Sequence, residues 1–309
     1  MMNKNLRIIY MGTPEFAVPA LELLVEHGWN IVGVITAPDK PKGRGQKLIP
    51  SPVKEAALSL NLKILQPTNL KSPEFQEELK SLQADLQIVV AFRMLPESVW
   101  DMPPLGTFNL HASLLPNYRG AAPINWAIIN GDNETGVTTF FLKHEIDTGS
   151  IIYQEKVGIL EKDDLGTVYE KLMHLGSKLV LKTVEDIAEN KVKPLPQDES
   201  KAIHHAPKIF KETGEINWNK SAKSIHNLVR GLSPYPAAWT KFDDKICKIF
   251  KTNYFPDQKT KKTIGEVETD NKTYLKVQTG AGVLEIFELQ LEGKKRMKTD
   301  ELLRGYKFS

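Results

Sequence analysis

Asn109, His111 and Asp147 are the residues whose types and spacing could carry chemistry. Asn109 and His111 stand two apart at the end of an apolar run. In a strand, side chains alternate between faces, so both would project from the same one. An amide there can donate to an oxyanion, and an imidazole can polarise the same oxygen or move a proton near neutral pH. The carboxylate of Asp147, heading Asp147-Thr148-Gly149, can orient the imidazole or accept a proton. Such a set suits acyl transfer to an acceptor that brings its own amine, because no nucleophilic side chain is then required. The residues alone leave a second reading open, in which Asn109 caps a turn, His111 is a satisfied buried histidine and Asp147 opens a turn.

These side chains need a rigid frame. Residues 6–11 read as a buried strand, residues 12–15 as a turn, 16–27 as an amphipathic helix and 30–37 as a second strand rich in Ile and Val. This β-α-β opening implies a right-handed crossover at the start of a doubly wound parallel α/β sheet of Rossmann-like type. Further strands are expected at 86–92, 106–110, 136–142 and 150–157, and a long helix over 165–189 closes a first domain, 1–190. In open α/β sheets ligands sit beyond the carboxyl ends of the strands, and the 86–92 strand opens there into Arg93-Met94-Leu95-Pro96. No G-x-G-x-x-G turn follows the first strand and no phosphate-binding G-x-x-x-x-G-K-[ST] loop occurs, so NAD, FAD and ATP are not expected.

Residues 191–208, with Pro194, Pro196 and Pro207, read as a linker. His204-His205 within it lacks carboxylate or thiol neighbours, so no metal is expected. Beyond it, 209–309 holds a helix at 221–231 and short strands at 237–242, 245–252, 263–269, 274–279 and 283–291. That pattern suggests a small OB-like β-barrel, used for binding nucleic acid or only for packing or dimerisation.

Composition is ordinary for a globular chain, with 41% hydrophobic and 26% charged residues among 309. The net charge of +3 is unevenly spread: residues 205–309 hold 20 Lys+Arg against 13 Asp+Glu, and the rest 21 against 25. A basic C-terminal third points to a polyanion, or else to a solvated lysine-rich surface. Cys247 is the single cysteine, which excludes an intrachain disulfide and suits a reducing compartment. With no secretory signal at the start and no apolar run near the ~20 residues of a membrane span, the protein is expected in the cytoplasm, with no membrane partner and as a monomer.

The run Asn109-Leu110-His111-Ala112-Ser113-Leu114-Leu115-Pro116-Asn117-Tyr118-Arg119-Gly120, followed by Asp147-Thr148-Gly149, resembles the signature of the folate-dependent formyltransferases. The resemblance implies 10-formyltetrahydrofolate as donor co-substrate and Asn109, His111 and Asp147 as catalytic residues. It also places folate against Phe92, Arg93, Met94 and Leu95 and against Ser113, Leu114, Leu115 and Pro116. Most members carry Tyr-Gly where this chain has Phe92-Arg93.

Residues 36–52 form a basic stretch too rich in Pro and Gly to read as helix or strand; it could mould to a phosphate backbone or be a solvated loop. It is similar to the inserted loop of family members that act on charged tRNA. On that likeness Lys40, Lys42, Arg44 and Lys47 are tRNA-contact candidates. The family's C-terminal barrel also binds tRNA, which adds Lys245 and Lys248, then Lys251, Lys294, Lys295, Arg296 and Lys298. The implied activity is formyl transfer to the α-amine of methionyl initiator tRNA. The alternatives are a formyltransferase for a small amine, such as a sugar nucleotide or glycinamide ribonucleotide, and a catalytically silent RNA-binding protein.

Overall fold

The computed structural model describes residues 4–42 and 47–308. In chain order its elements are β1 (Arg7–Gly12), α1 (Val18–Glu26), β2 (Asn30–Ile35), β3 (Lys40–Lys42), β4 (Lys47–Ile49), α2 (Pro52–Ser59), β5 (Ile64–Leu65), α3 (Pro73–Ser81), β6 (Leu86–Val90), α4 (Glu97–Trp100), β7 (Thr107–His111), β8 (Arg119–Gly120), α5 (Pro123–Asn130), β9 (Glu134–Phe141), β10 (Ile151–Gly158) and α6 (Leu165–Ala188). There follow β11 (His205–Ala206), α7 (Ala222–Leu232), β12 (Ala238–Phe242), β13 (Lys245–Phe255), β14 (Val267–Thr269), β15 (Leu275–Gln278), β16 (Val283–Leu291), β17 (Met297–Lys298) and α8 (Thr299–Leu303). The chain divides into two compact units: Met1–Arg119 with Gly136–Val157 and Tyr169–His205, and Gly120–Thr135 with Gly158–Val168 and Ala206–Ser309.

The first unit is built on a seven-stranded sheet in the order β10-β9-β7-β6-β1-β2-β5. Strands β5, β2, β1, β6 and β7 run parallel, and β9 runs antiparallel to β7. The sheet is therefore mixed at the β9 side, a direction that the apolar run of β9 does not encode. Every residue of β6 is buried, as expected of a parallel strand covered on both faces. Gly12 ends β1 because there is no room for more: a Cβ there would stand 2.7 Å from the Ala17 Cβ and 3.1 Å from the Val90 carbonyl.

The stretch expected to be irregular contains a hairpin, with β3 and β4 paired antiparallel through Lys40–Ile49, Pro41–Leu48 and Lys42–Lys47. Both strands of a two-stranded ribbon are edges, so Pro41, lacking an N–H, is tolerated there. Arg44 and the side chains of Lys42 and Lys47 lie outside the described residues.

The second unit carries an antiparallel sheet in the order β12-β13-β16-β15-β14, with β17 on β16. Helix α7 lays Ile225, Val229 and Leu232 on Ile249, Val277, Leu284 and Leu289 of that sheet. Its start is fixed by Ser221, whose hydroxyl accepts from the Ser224 N–H at 3.2 Å.

Candidate active site

Strands β6 and β7 are adjacent and parallel, with Val89 beside Asn109 and Val90 beside Leu110. Their carboxyl ends thus open side by side, and the chain leaving β6 at Ala91 meets the strand that ends on His111. Asn109 and His111 lie on one face of β7, as their spacing predicts. Asn109 is half-buried, and its side-chain amide has no hydrogen-bond partner among the described residues.

His111 is buried, with Nε2 at 2.8 Å from the Tyr118 carbonyl and Nδ1 at 3.9 Å from Oδ2 of Asp147. The carbonyl can only accept, so Nε2 holds the proton. Nδ1 is left as the nitrogen that faces the carboxylate and can take or give a second proton. A separation of 3.9 Å is an ion-pair distance too long for a hydrogen bond, and Asp147 is itself largely covered, its side chain 13% exposed.

Residues 113–118 form the loop that supplies the Tyr118 carbonyl, and it is tied from within. The Ser113 hydroxyl donates to the Asn117 carbonyl at 2.7 Å. The Thr138 hydroxyl, on β9, donates to the Ser113 carbonyl at 2.6 Å and accepts from the Leu115 N–H at 3.2 Å and from Gln154 Nε2 at 2.9 Å. Gln154 also donates to the Leu115 carbonyl at 2.8 Å. Asn117 Oδ1 accepts from the Ile203 and His204 N–H groups, and the Tyr118 ring stacks on His204 with centroids 5.4 Å apart. His204 is thus a wall for this loop; among the described residues no group of three or more His, Cys, Asp or Glu is placed to hold a metal. Of the folate candidates here, Ser113, Leu115 and Pro116 are buried and shape the loop, while Leu114 is half-buried.

The second folate candidate segment starts at Ala91, whose φ of +48° is left-handed, a strained value for a residue with a Cβ. Phe92 packs on the core of the first unit together with buried Leu95, and Met94 is 72% exposed. Arg93 is turned aside: its guanidinium donates to the Pro67 and Thr68 carbonyls and lies 5.7 Å from the Phe92 ring centre.

Asp147 also holds a left-handed backbone, φ +56°. Gly149 two residues on must be glycine, because a Cβ there would stand 1.6 Å from the Phe141 carbonyl oxygen. Gln197, from the stretch read as a linker, donates from Nε2 to the carbonyls of Asp147 at 2.8 Å and Gly149 at 2.9 Å. Arg119 donates to Gln197 Oε1 and forks onto Glu199. His144 is a loop residue as expected, exposed and paired with Glu97 at 3.1 Å. Thr138, Gln154 and Gln197 escaped the sequence reading; no periodicity or motif marks them.

The basic candidates fall in both units. Lys40 is exposed on β3. In the second unit Lys245 sits over the Tyr306 ring, 5.1 Å from its centre, and Lys248 is half-buried on β13. Lys251, Lys294, Lys295 and Lys298 are exposed. Arg296 is already engaged, forked onto Glu288 at 2.8 Å on both arms and stacked on Phe250 at 4.2 Å.

Residues 4–184 match the formyl transferase family, and residues 208–307 match the formyl transferase C-terminal domain. A methionyl-tRNA formyltransferase of Phocaeicola vulgatus is 58% identical over 100% of this chain and 98% of its own. Those of Bacteroides fragilis and Flavobacterium johnsoniae are 57% identical (99% of this chain, 97% of the relative) and 51% identical (99% and 98%). Among solved structures, the N-formyltransferase from Helicobacter canadensis in complex with folinic acid and dTDP-3-aminofucose superposes with a TM-score of 0.69 at 21% identity, over 94% of this chain and 100% of that one. HypX from Aquifex aeolicus in complex with tetrahydrofolic acid gives 0.66 at 20% identity, over 98% of this chain and 48% of that one. Such distant likenesses speak for the fold alone. The relatives' full-length identity and both domain matches agree with the signature around Asn109, His111 and Asp147, and the chain belongs to the formyl transferase family.

Proposed function

We propose that this protein transfers the formyl group of 10-formyltetrahydrofolate to the α-amino group of methionine carried on initiator tRNA. The observation that carries the substrate is the full-length identity, 58% in one case, to proteins named methionyl-tRNA formyltransferase. The site supports the chemistry. Asn109 offers an amide donor for the formyl oxygen, and His111 presents Nδ1 toward Asp147. Residues 1–190 serve as the catalytic domain and 209–309 as the tRNA-binding domain, and the protein works in the cytoplasm as a monomer.

The neutral α-amine attacks the formyl carbon, giving a tetrahedral intermediate with charge on oxygen. The Asn109 amide donates to that oxygen, and His111 lies beside it on the same strand face. The new C–N bond leaves an excess proton on the amine, and the bond to folate N10 must break. Asp147 and His111 Nδ1, 3.9 Å apart, take the proton from the amine and return one to N10. One C–N bond forms, one breaks, and one proton moves from the amine to N10. The backbone of residues 92–95 and the half-buried Leu114 hold the folate, while the Arg93 guanidinium is engaged by the Pro67 and Thr68 carbonyls.

Formyl transfer from 10-formyltetrahydrofolate is measured with charged initiator tRNA, free methionine and a sugar-nucleotide amine side by side. Formylation of the tRNA alone supports the proposal. Turnover of only the small amine moves the acceptor to that class and leaves the basic hairpin without a role, and no turnover at all favours RNA binding without catalysis.

A further inference from the structure

We propose that Gln197 is a positioning residue for catalysis, holding Asp147 in register with His111 through the backbone of the Asp147-Thr148-Gly149 turn. The inference rests on the formyl-transfer reading and deepens it. Ile151 and Leu195 exchange both backbone hydrogen bonds, at 2.8 and 2.9 Å, so the two segments run antiparallel and Gln197 comes opposite Gly149. From there its Nε2 reaches two carbonyls, those of Asp147 and Gly149.

The orientation of the amide is dictated by its neighbours. Its oxygen accepts from Arg119 Nε at 3.1 Å and Nη2 at 2.6 Å. A flipped amide would set NH₂ against a guanidinium and oxygen against two carbonyls, so only one arrangement satisfies all the groups. Arg119 is in turn held by Glu199 at 2.7 and 2.8 Å, and its side chain is 12% exposed. A guanidinium clamped by one acidic and one amide partner therefore fixes the donor that fixes the turn.

The turn needs such a hold. Residues 143–146 before it are exposed, and Asp147 keeps a left-handed φ that costs a non-glycine residue free energy. The Asp147 carboxylate must meet His111 Nδ1 and the reacting amine together, and a displacement of the order of 1 Å in such a group is enough to cost roughly two decades in rate. Gln197 touches none of the reacting atoms; it acts through Asp147.

The test uses Gln197→Glu, which keeps the shape and the acceptor for Arg119 but removes the donor and turns an oxygen on the two carbonyls. Expected is a fall in kcat of about 10- to 100-fold, with KM for donor and tRNA within about two-fold and Tm close to the parent's. In an Asp147→Asn background the same change should cost little more, because coupled residues are non-additive. A strut that merely stabilises the fold predicts the reverse: lowered Tm, intact kcat and additive effects. Hydrogen exchange of the peptide spanning residues 143–150 supplies a readout that needs no activity, with faster exchange expected in the Gln197→Glu variant. Unchanged exchange, or kcat at the parental level, overturns the proposal. A parent that formylates nothing refutes the formyl-transfer reading instead, and the exchange measurement then decides the bracing by itself.

Discussion

The carbonyl of Tyr118 lies 2.8 Å from Nε2 of His111, and this backbone atom decides which imidazole nitrogen faces Asp147. Glutamine places an amide nitrogen near the position of Nε2 and nothing at Nδ1. His111→Gln therefore keeps the donation to Tyr118 but loses the proton carrier. Single-turnover formylation should slow by about 10²- to 10⁴-fold while circular dichroism and Tm stay near the parent's.

Asn109 is assigned the formyl oxygen. Asn109→Ala should lower kcat by about two to three decades, the usual loss on removing one oxyanion donor, with KM for the folate little changed. A near-parental rate would overturn that assignment.

Thr138 serves two partners in the loop that carries Tyr118, the Ser113 carbonyl and the Leu115 N–H, and a third, Gln154, on β10. Thr138→Val preserves shape and strands the Ser113 carbonyl and the Leu115 N–H, while Gln154 keeps its donation to the Leu115 carbonyl. Urea unfolding should show a loss of about 2–4 kcal/mol, since each of the two buried groups left unpaired costs about 1–3 kcal/mol.

Lys40 on the hairpin is expected to meet phosphate. Lys40→Ala should weaken binding of charged tRNA and lower the slope of log K against log salt by about 1, with folate binding unchanged. Arg44, outside the described residues, is expected to behave likewise, and the Arg44→Ala variant is checked by the same titration. Equal loss of folate binding would defeat the division of labour between hairpin and strand ends.

His226 sets a pH limit on the second unit. Burial pushes its pKa down to about 4 from 6.5, with nearby Arg230 adding to the fall and Glu161 opposing it. The unfolded chain therefore takes up a proton below 6.5 that the folded chain refuses until about 4. The stabilisation is fully present above that window and is lost as pH falls through it, by an amount of about 3 kcal/mol at most. Tm measured from pH 7 to 4 should fall, and His226→Gln should flatten the fall at the cost of weaker packing against Tyr254.

The candidate site was half legible in the residues. Period-two spacing puts Asn109 and His111 on one face of β7, and the continuous apolar run of β6 marks a strand covered on both sides, because local backbone geometry and burial leave a repeating trace. The strands of the second unit were legible too, with 238–242, 245–255, 267–269, 275–278 and 283–291 falling close to the expected runs.

Long-range pairing leaves no such trace. The direction of β9, the β3–β4 hairpin in a stretch rich in Pro and Gly, and the turning of Arg93 onto the Pro67 and Thr68 carbonyls are set by partners distant in the chain. Gln197 reads as linker because its contacts, 50 and 48 residues away, follow no period. The Tyr118 carbonyl is common to any residue type and so carries no sequence signal at all. By itself the sequence marked Asn109, His111 and Asp147 as the candidates for the chemistry and the strand that carries the first two, because those depend on residue type and local geometry. Only the tertiary structure decided the proton-bearing nitrogen of His111 and the seat of Asp147, because backbone hydrogen bonds brought together by folding fix both.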